Sequence, residues 1–233
     1  MATDVKLSDF RPHLSPGSRG RIQPTKERGV KVTGESGIRY AFREDRPVDT
    51  GGHGAVFPAE DERGQVRAIK RVLTPGRRLD RELAVRGELP KVLDAVVVPF
   101  LDQGEDATGR HFVVMPWYDQ NLWAWLHGKP LEVRLLALAR AADALSLLQQ
   151  HSAVEHKDIK PNNLMVDADG AVLLADLGAA RIHEGGPALT NTGTITPEYA
   201  APELRLRLIL KSDRSRDTYA LAATIFACLA GGP

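Results

Sequence analysis

The 233-residue sequence predicts an α+β protein in two parts: a small antiparallel β lobe carrying one helix, then a mainly α lobe. Three observations carry this prediction. Short apolar runs broken by turn signals fill residues 38–115. Residues 131–150 repeat their apolar positions every three or four residues, as an amphipathic helix does. Residues 219–229 are apolar on nearly every face, the pattern of a buried helix.

In chain order, residues 1–37 mix Pro, Gly, Ser and charge without an apolar period and read as a flexible extension. Residues 38–48, 55–60 and 66–72 read as strands, separated by turn-forming residues at 50–54 and 61–64. Residues 77–89 suit a helix with Leu79, Leu83 and Leu89 facing inward. Strands at 96–101 and 111–115 flank a turn-rich stretch from Gly104 to Gly109. The two lobes meet near residues 115–122, giving an N-terminal lobe of 38–115 and a C-terminal lobe of 116–233. In the long helix Leu135, Leu138, Ala142, Leu145 and Leu148 share a face. Two short apolar runs, 164–166 and 172–174, are split by Asp167-Ala168-Asp169-Gly170 and form a hairpin.

Composition narrows the function classes. With 42% hydrophobic residues, 26% charged and a net charge of +1, the chain is neither a disordered polymer nor a repeat fibre. One cysteine, Cys228, excludes an internal disulfide and points to a reducing, cytoplasmic setting. No run of about 18 apolar residues predicts a membrane span, and the N-terminus lacks an apolar signal region. Residues 1–46 hold ten Lys/Arg against six Asp/Glu. No aromatic interleaving accompanies that surplus, so no nucleic-acid partner is expected.

The chemistry-bearing residues come in five groups. His156-Lys157-Asp158-Ile159-Lys160-Pro161-Asn162-Asn163 places an Asp and an Asn five residues apart after a long helix. Asp176-Leu177-Gly178 follows a short apolar strand. Phosphoryl transfer needs a carboxylate near the attacking hydroxyl and oxygen ligands for Mg²⁺, and Asp158, Asn163 and Asp176 are of those types. Gly51, Gly52, His53 and Gly54 lie between two strands, where glycines would let backbone approach phosphates and Val56 could cover one face of a base. Lys70, in the apolar strand Ala68-Ile69-Lys70, needs an anionic partner; Glu82 is best placed and Glu88 is the second choice. Thr196-Pro197-Glu198-Tyr199-Ala200-Ala201-Pro202-Glu203 closes a Gly/Thr-rich segment. Each group alone has a plain structural reading: a polar turn, a hairpin, a snorkelling lysine, a loop.

Taken in this order, the motifs resemble the eukaryotic-type (Hanks) serine/threonine protein kinase family over about residues 40–233. The resemblance implies a bilobal protein-kinase-like fold with ATP and Mg²⁺ in the cleft and a protein substrate. It implies that Val48, Gly51, Gly52, His53, Gly54, Val56 and Ala68 line the nucleotide site, with Met115 as gatekeeper and Pro116, Trp117 and Tyr118 as hinge. Lys70, paired with Glu82, would grip phosphates, and Asp158 would be the catalytic base. Lys160 would contact the γ-phosphate, while Asn163 and Asp176 would bind Mg²⁺. Asp217 resembles the buried acid that begins the central C-lobe helix. Thr190, Thr192 and Thr194 are candidates for regulatory phosphorylation, with Lys157 as cationic partner.

Four positions depart from the family pattern. Asp49 stands at the first glycine of the loop, Lys157 replaces an arginine, Leu177 replaces a phenylalanine, and Ile195 precedes Thr196. The sequence ends shortly after the helix near Asp217, so the resemblance predicts a C-lobe lacking its last helices. Tyr219, Leu221, Ile225, Phe226 and Leu229 would lose cover, leaving a surface for a partner or self-association, and Glu203 would lack its arginine. Three functions compete: an active kinase, a pseudokinase that binds nucleotide or a partner, and a small-molecule phosphotransferase. The retained lysine, metal ligands and base favour the first; the Thr196–Glu203 segment argues against the third.

Overall fold

The computed structural model describes residues 29–51, 54–76, 79–182, 196–206 and 213–231. Its first half is a seven-stranded antiparallel sheet: β1 (Val30–Thr33), β2 (Arg39–Phe42), β3 (Asp49–Gly51), β4 (Gly54–Asp61), β5 (Val66–Arg71), β6 (Asp102–Glu105) and β7 (His111–Pro116). The main path runs β1-β2-β4-β5-β7-β6, with β3 folded back on β4. Helix α1 (Asp80–Glu88) packs beside it, with Leu83 against the cluster that holds Val72 and Val113. Alternation along β4 buries Gly54, Ala55, Phe57, Ala59 and Asp61, and Phe57 joins Tyr40, Phe42, Ile69 and Phe112 in one apolar cluster. The buried Arg71 guanidinium lies over the Phe42 and Phe57 rings and pairs with Asp106 at 2.9 Å and with Glu44.

The second half opens with the two-residue strand β8 (Gln120–Asn121) and α2 (Leu122–Leu126), whose N-cap is the Asn121 side chain accepting from Ala124 N. Helix α3 (Leu131–His151) then carries the main core. Strands β9 (Val154–Glu155) and β12 (Arg181–Ile182) pair with each other, and the hairpin β10 (Leu164–Val166) and β11 (Val172–Leu174) joins β8. Short α4 (Pro202–Arg205) precedes α5 (Ser215–Ala230). Leu138, Ala141, Leu145 and Leu148 of α3 bury in one cluster with residues of β11 and α5, with Val85 of α1 and with Leu89 just after it, so one core spans the junction. Among the described residues no helix is long and apolar enough to cross a membrane.

Four sequence expectations change. The sheet begins at Val30, inside the stretch read as a flexible extension: Val32 is buried and β1 pairs with β2 in register. Residues 96–101 form no ladder strand; Val97 makes one parallel bridge to Leu174, and the edge strand β6 starts at Asp102. Leu135 lies exposed, because small Ala137, Ala141 and Ala144 form the tightly packed α3 face instead. Helix α5 is buried on one face only, through Ala220, Leu221, Thr224, Ala227 and Cys228, while Tyr219, Phe226 and Leu229 face outward and Phe226 is 70% exposed.

Candidate active site

A cleft of about 460 Å³ lies between the sheet and the helical half. Its upper wall is built by β3, β4 and β5. The tight β3–β4 return needs glycine at Gly54: φ is +140°, and a Cβ there would collide with the Arg71 carbonyl oxygen. Beyond the turn, Val48, Gly51, Gly54, Val56 and Ala68 line the cleft, and Asp49 stands on the same wall. Gly52 and His53 lie outside the described residues. Met115, Pro116, Trp117 and Tyr118, at the end of β7, close the back. Val98, Phe100, Met165 and Leu174 also line it. These four give no sign of a site in the sequence, because apolar residues on core elements carry no polar signal.

Lys70 is held on the central strand β5, with Val56 and Val113 as its cross-strand neighbours, and is only 5% exposed. Its Nζ pairs with Glu82 of α1 and, at 2.7 Å, with Asp176 Oδ1. Glu88, the second choice for that pairing, is exposed. A buried carboxylate, Glu82, and a half-buried one, Asp176, thus share one ammonium. Burial, helped by the Asp176 charge and opposed by Lys70, pushes the Glu82 carboxyl up to about 7. Burial works in the same direction on Asp176, but the Lys70 charge overrides it and holds that carboxyl well below the usual range. Burial disfavours the charged form of Lys70 too, yet Asp176 and Glu82 together keep its pKa above the ordinary lysine value. Asp176 sits in the left-handed region at φ +62° and caps the following turn by accepting from Gly178 N at 3.1 Å, which fixes its carboxylate at the cleft floor.

The loop between β9 and β10 carries the second cluster. Buried Asp217, at the start of α5, accepts from His156 N at 2.7 Å and Lys157 N at 2.8 Å. Burial pushes the Asp217 carboxyl up. Lys157 takes the left-handed conformation at φ +70°, and the His156 ring is anchored to the Ala175 carbonyl oxygen at 3.0 Å. Burial lowers the Lys157 ammonium pKa; Glu155 opposes this, while Arg181, Arg81 and Arg216 add to it. Held in this way, Asp158 faces three partners. Its Oδ2 meets Lys160 Nζ at 2.8 Å and accepts from Asn163 Nδ2 at 2.8 Å, and its Oδ1 accepts from Thr196 Oγ1 at 2.7 Å. Lys160 also donates to Thr196 Oγ1 at 3.0 Å. With the Asn163 amide nitrogen committed to Asp158, the amide oxygen remains as a donor toward a cation. Asn163 and Asp176 both line the cleft. One carboxylate and one amide oxygen fit Mg²⁺, which keeps several waters and binds few protein ligands.

The structure also gives Glu203 a partner: Arg216 Nε donates to it at 3.2 Å. The expectation of an unpaired Glu203 is therefore corrected. That arginine lies thirteen residues downstream at the start of α5, where spacing alone gives no hint of the contact. Leu177 is buried in the main core, so it packs where the family pattern has phenylalanine. Thr190, Thr192, Thr194 and Ile195 lie outside the described residues.

A sequence profile described as "Protein kinase domain" matches residues 42–233. The serine/threonine-protein kinase PknD of Mycobacterium tuberculosis is 34% identical over 201 residues, spanning 81% of this chain and 29% of that protein. The serine/threonine-protein kinase PknK of the same organism is 32% identical over 205 residues, spanning 83% of this chain and 18% of that protein. The chain thus spans less than a third of either relative's length. Among solved structures, vaccinia related kinase 3 aligns with TM-score 0.71 and 18% identity over 88% of this chain and 69% of that one, a likeness of fold.

Proposed function

Because the chain belongs to the protein kinase family, in its Hanks-type serine/threonine branch, we propose that it transfers the γ-phosphate of ATP to a serine or threonine hydroxyl of a protein, including its own chain. The observation that carries this reading is the convergence of Asp158, Lys160 and Thr196 within 3.0 Å of one another, joined through Asn163 to the cleft that holds the Lys70–Asp176 pair.

In this reading the lobes are residues 30–115, since β1 belongs to the sheet, and 116–233, and the adenine lies between Val56, Ala68 and the Met115–Tyr118 hinge residues. Lys70, steadied by Glu82, contacts the α- and β-phosphates. Asn163 and Asp176 hold Mg²⁺, which supplies charge neutralisation along the phosphates. Asp158 accepts the hydroxyl proton of the substrate as its oxygen bonds to the γ-phosphorus; the bond to the β,γ-bridging oxygen breaks and ADP leaves. Lys160 steadies the negative charge on the transferred group. Substrate entry requires Thr196 to share or yield its place on Asp158, which ties docking to the state of the base. The lone buried Cys228 supports a reducing, cytoplasmic location.

A second reading, a nucleotide-binding or partner-docking module without efficient catalysis, draws on Asp49 in the cleft wall and on the outward Tyr219, Phe226 and Leu229. That apolar face would then serve a partner or a second copy. Incubation with γ-labelled ATP and Mg²⁺, beside Asp158→Ala and Asp176→Ala variants, separates the two. Label on phosphoserine or phosphothreonine, lost in both variants, supports the kinase. ATP-induced stabilisation without label would replace it with the second reading.

A further inference from the structure

Two adjacent residues at the start of α5 reach in different directions. Asp217 holds the backbone of the loop bearing Asp158 through His156 N and Lys157 N. Its neighbour Arg216 is buried, and its guanidinium lies between two carboxylates. Nε donates to Glu203 Oε1 of α4 at 3.2 Å, and Nη1 stands 3.7 Å from Glu155 Oε1. Glu155 is fully buried on β9, directly before His156, and is the cross-strand partner of Arg181. A planar guanidinium can engage two carboxylates at once, which a single ammonium does poorly. In a poorly solvated site each charge needs the others, so the three positions become mutually dependent.

We propose that Arg216 is a positioning residue that ties the protein-docking segment 196–206 to the catalytic loop. That segment is fixed at one end by the Thr196–Asp158 hydrogen bond, which a substrate hydroxyl must share or displace. The Arg216–Glu203 bond fixes the other end, and Glu155 refers it to the strand that feeds the catalytic loop. When Thr196 moves, the segment therefore keeps its register relative to Asp158. The nucleotide-side cluster of Lys70, Glu82 and Asp176 makes none of its ion pairs with Arg216, so the bridge acts on protein-substrate docking and not on ATP. This role rests on the kinase reading for its catalytic consequence, but the tether itself does not.

The test compares Arg216→Met, Glu203→Gln, the double variant and Arg216→Lys in the full chain. Coupled charged neighbours predict a rise of about tenfold in peptide-substrate KM for either single variant, with no further rise in the double. The affinity for Mg·ATP stays unchanged, and Arg216→Lys falls between wild type and Arg216→Met. Amide hydrogen exchange across residues 196–206 rises equally in both single variants. That readout decides the tether even if the unsubstituted chain transfers no phosphate, in which case the kinase reading alone fails. Unchanged exchange across 196–206, additive effects of the two substitutions, or a loss of ATP affinity parallel to the KM change would each overturn the proposal. Should Arg216→Met fail to fold, Glu203→Gln, at the more exposed end of the bridge, decides it through the same exchange and KM readouts.

Discussion

Replacing Asp217 by alanine should unseat the catalytic loop from below. The carboxylate accepts two backbone N–H groups, His156 N at 2.7 Å and Lys157 N at 2.8 Å, and is almost wholly buried. Truncation leaves both donors without their acceptor, at a cost of about 1–3 kcal/mol each. The raised Asp217 pKa means that burying this carboxylate already carries a penalty, which alanine relieves. A net destabilisation of about 3 kcal/mol is therefore expected, and at about 2–4 °C per kcal/mol the melting temperature should fall by roughly 6–12 °C. Asparagine keeps one acceptor oxygen but turns an NH₂ toward the other N–H, so Asp217→Asn should lie between wild type and alanine. Lys157 adds strain to the loop at φ +70°, a conformation that needs outside support. Without that support Asp158 should lose its alignment, and phosphotransfer should fall more than nucleotide affinity does. Differential scanning calorimetry, nucleotide titration and a phosphotransfer assay on the same preparations check both halves. An Asp217→Ala protein melting within about 2 °C of wild type, with unchanged turnover, would refute the clamp.

Three further outcomes follow from the geometry. Gly54→Ala should destabilise the chain by about 1–3 kcal/mol and weaken nucleotide binding, because the new Cβ meets the Arg71 carbonyl at a φ that L-residues avoid; a thermal melt and ATP titration measure it. Glu82 has a folded pKa of about 7 against an ordinary 4.5, so its contribution to stability is fully present below pH 4.5 and is lost as pH rises through 7. The difference is on the order of 2–3 kcal/mol between pH 4.5 and 8. Glu82→Gln should remove that slope from the melting temperature plotted against pH. Phe226→Ser, on the outward face of α5, should change stability by less than about 0.5 kcal/mol while reducing self-association in light scattering; a loss of several degrees would show that Phe226 is packed.

Where the sequence carries a period or a motif, the fold could be read from it, as with α3 and the β10–β11 hairpin. Both are set by local spacing, and the structure places them within a residue of expectation. Strand β1 was hidden because it buries only Val32; its other residues are exposed or half-buried, so the alternation is too weak to register. Strand β6 was hidden for a related reason: Asp102, Gln103, Gly104 and Glu105 are polar or small and run into the turn-rich stretch from Gly104 to Gly109, yet the Asp102 carboxylate accepts from Tyr40 OH and Ser36 N and binds the edge of the sheet together. The site divides the same way. Lys70, Glu82, Asp158, Asn163 and Asp176 were legible because chemistry needs those types at those spacings, and Lys160 through the family resemblance. Lys70, Glu82, Asn163 and Asp176 line the cleft, while Asp158 and Lys160 join it through the Asn163–Asp158 hydrogen bond. Arg216 was not legible, since its two carboxylate partners come from different elements and meet only after α5 docks on α3.

The proposed kinase activity depends most directly on Asp158 acting at the chemical step. Nucleotide affinity and single-turnover phosphotransfer measured on the same Asp158→Ala sample test it. The expected result is an ATP affinity close to wild type with transfer reduced by about 10²–10⁴-fold, the contribution of a lost general base. Transfer at the wild-type rate, or a loss explained entirely by weaker ATP binding, would contradict it.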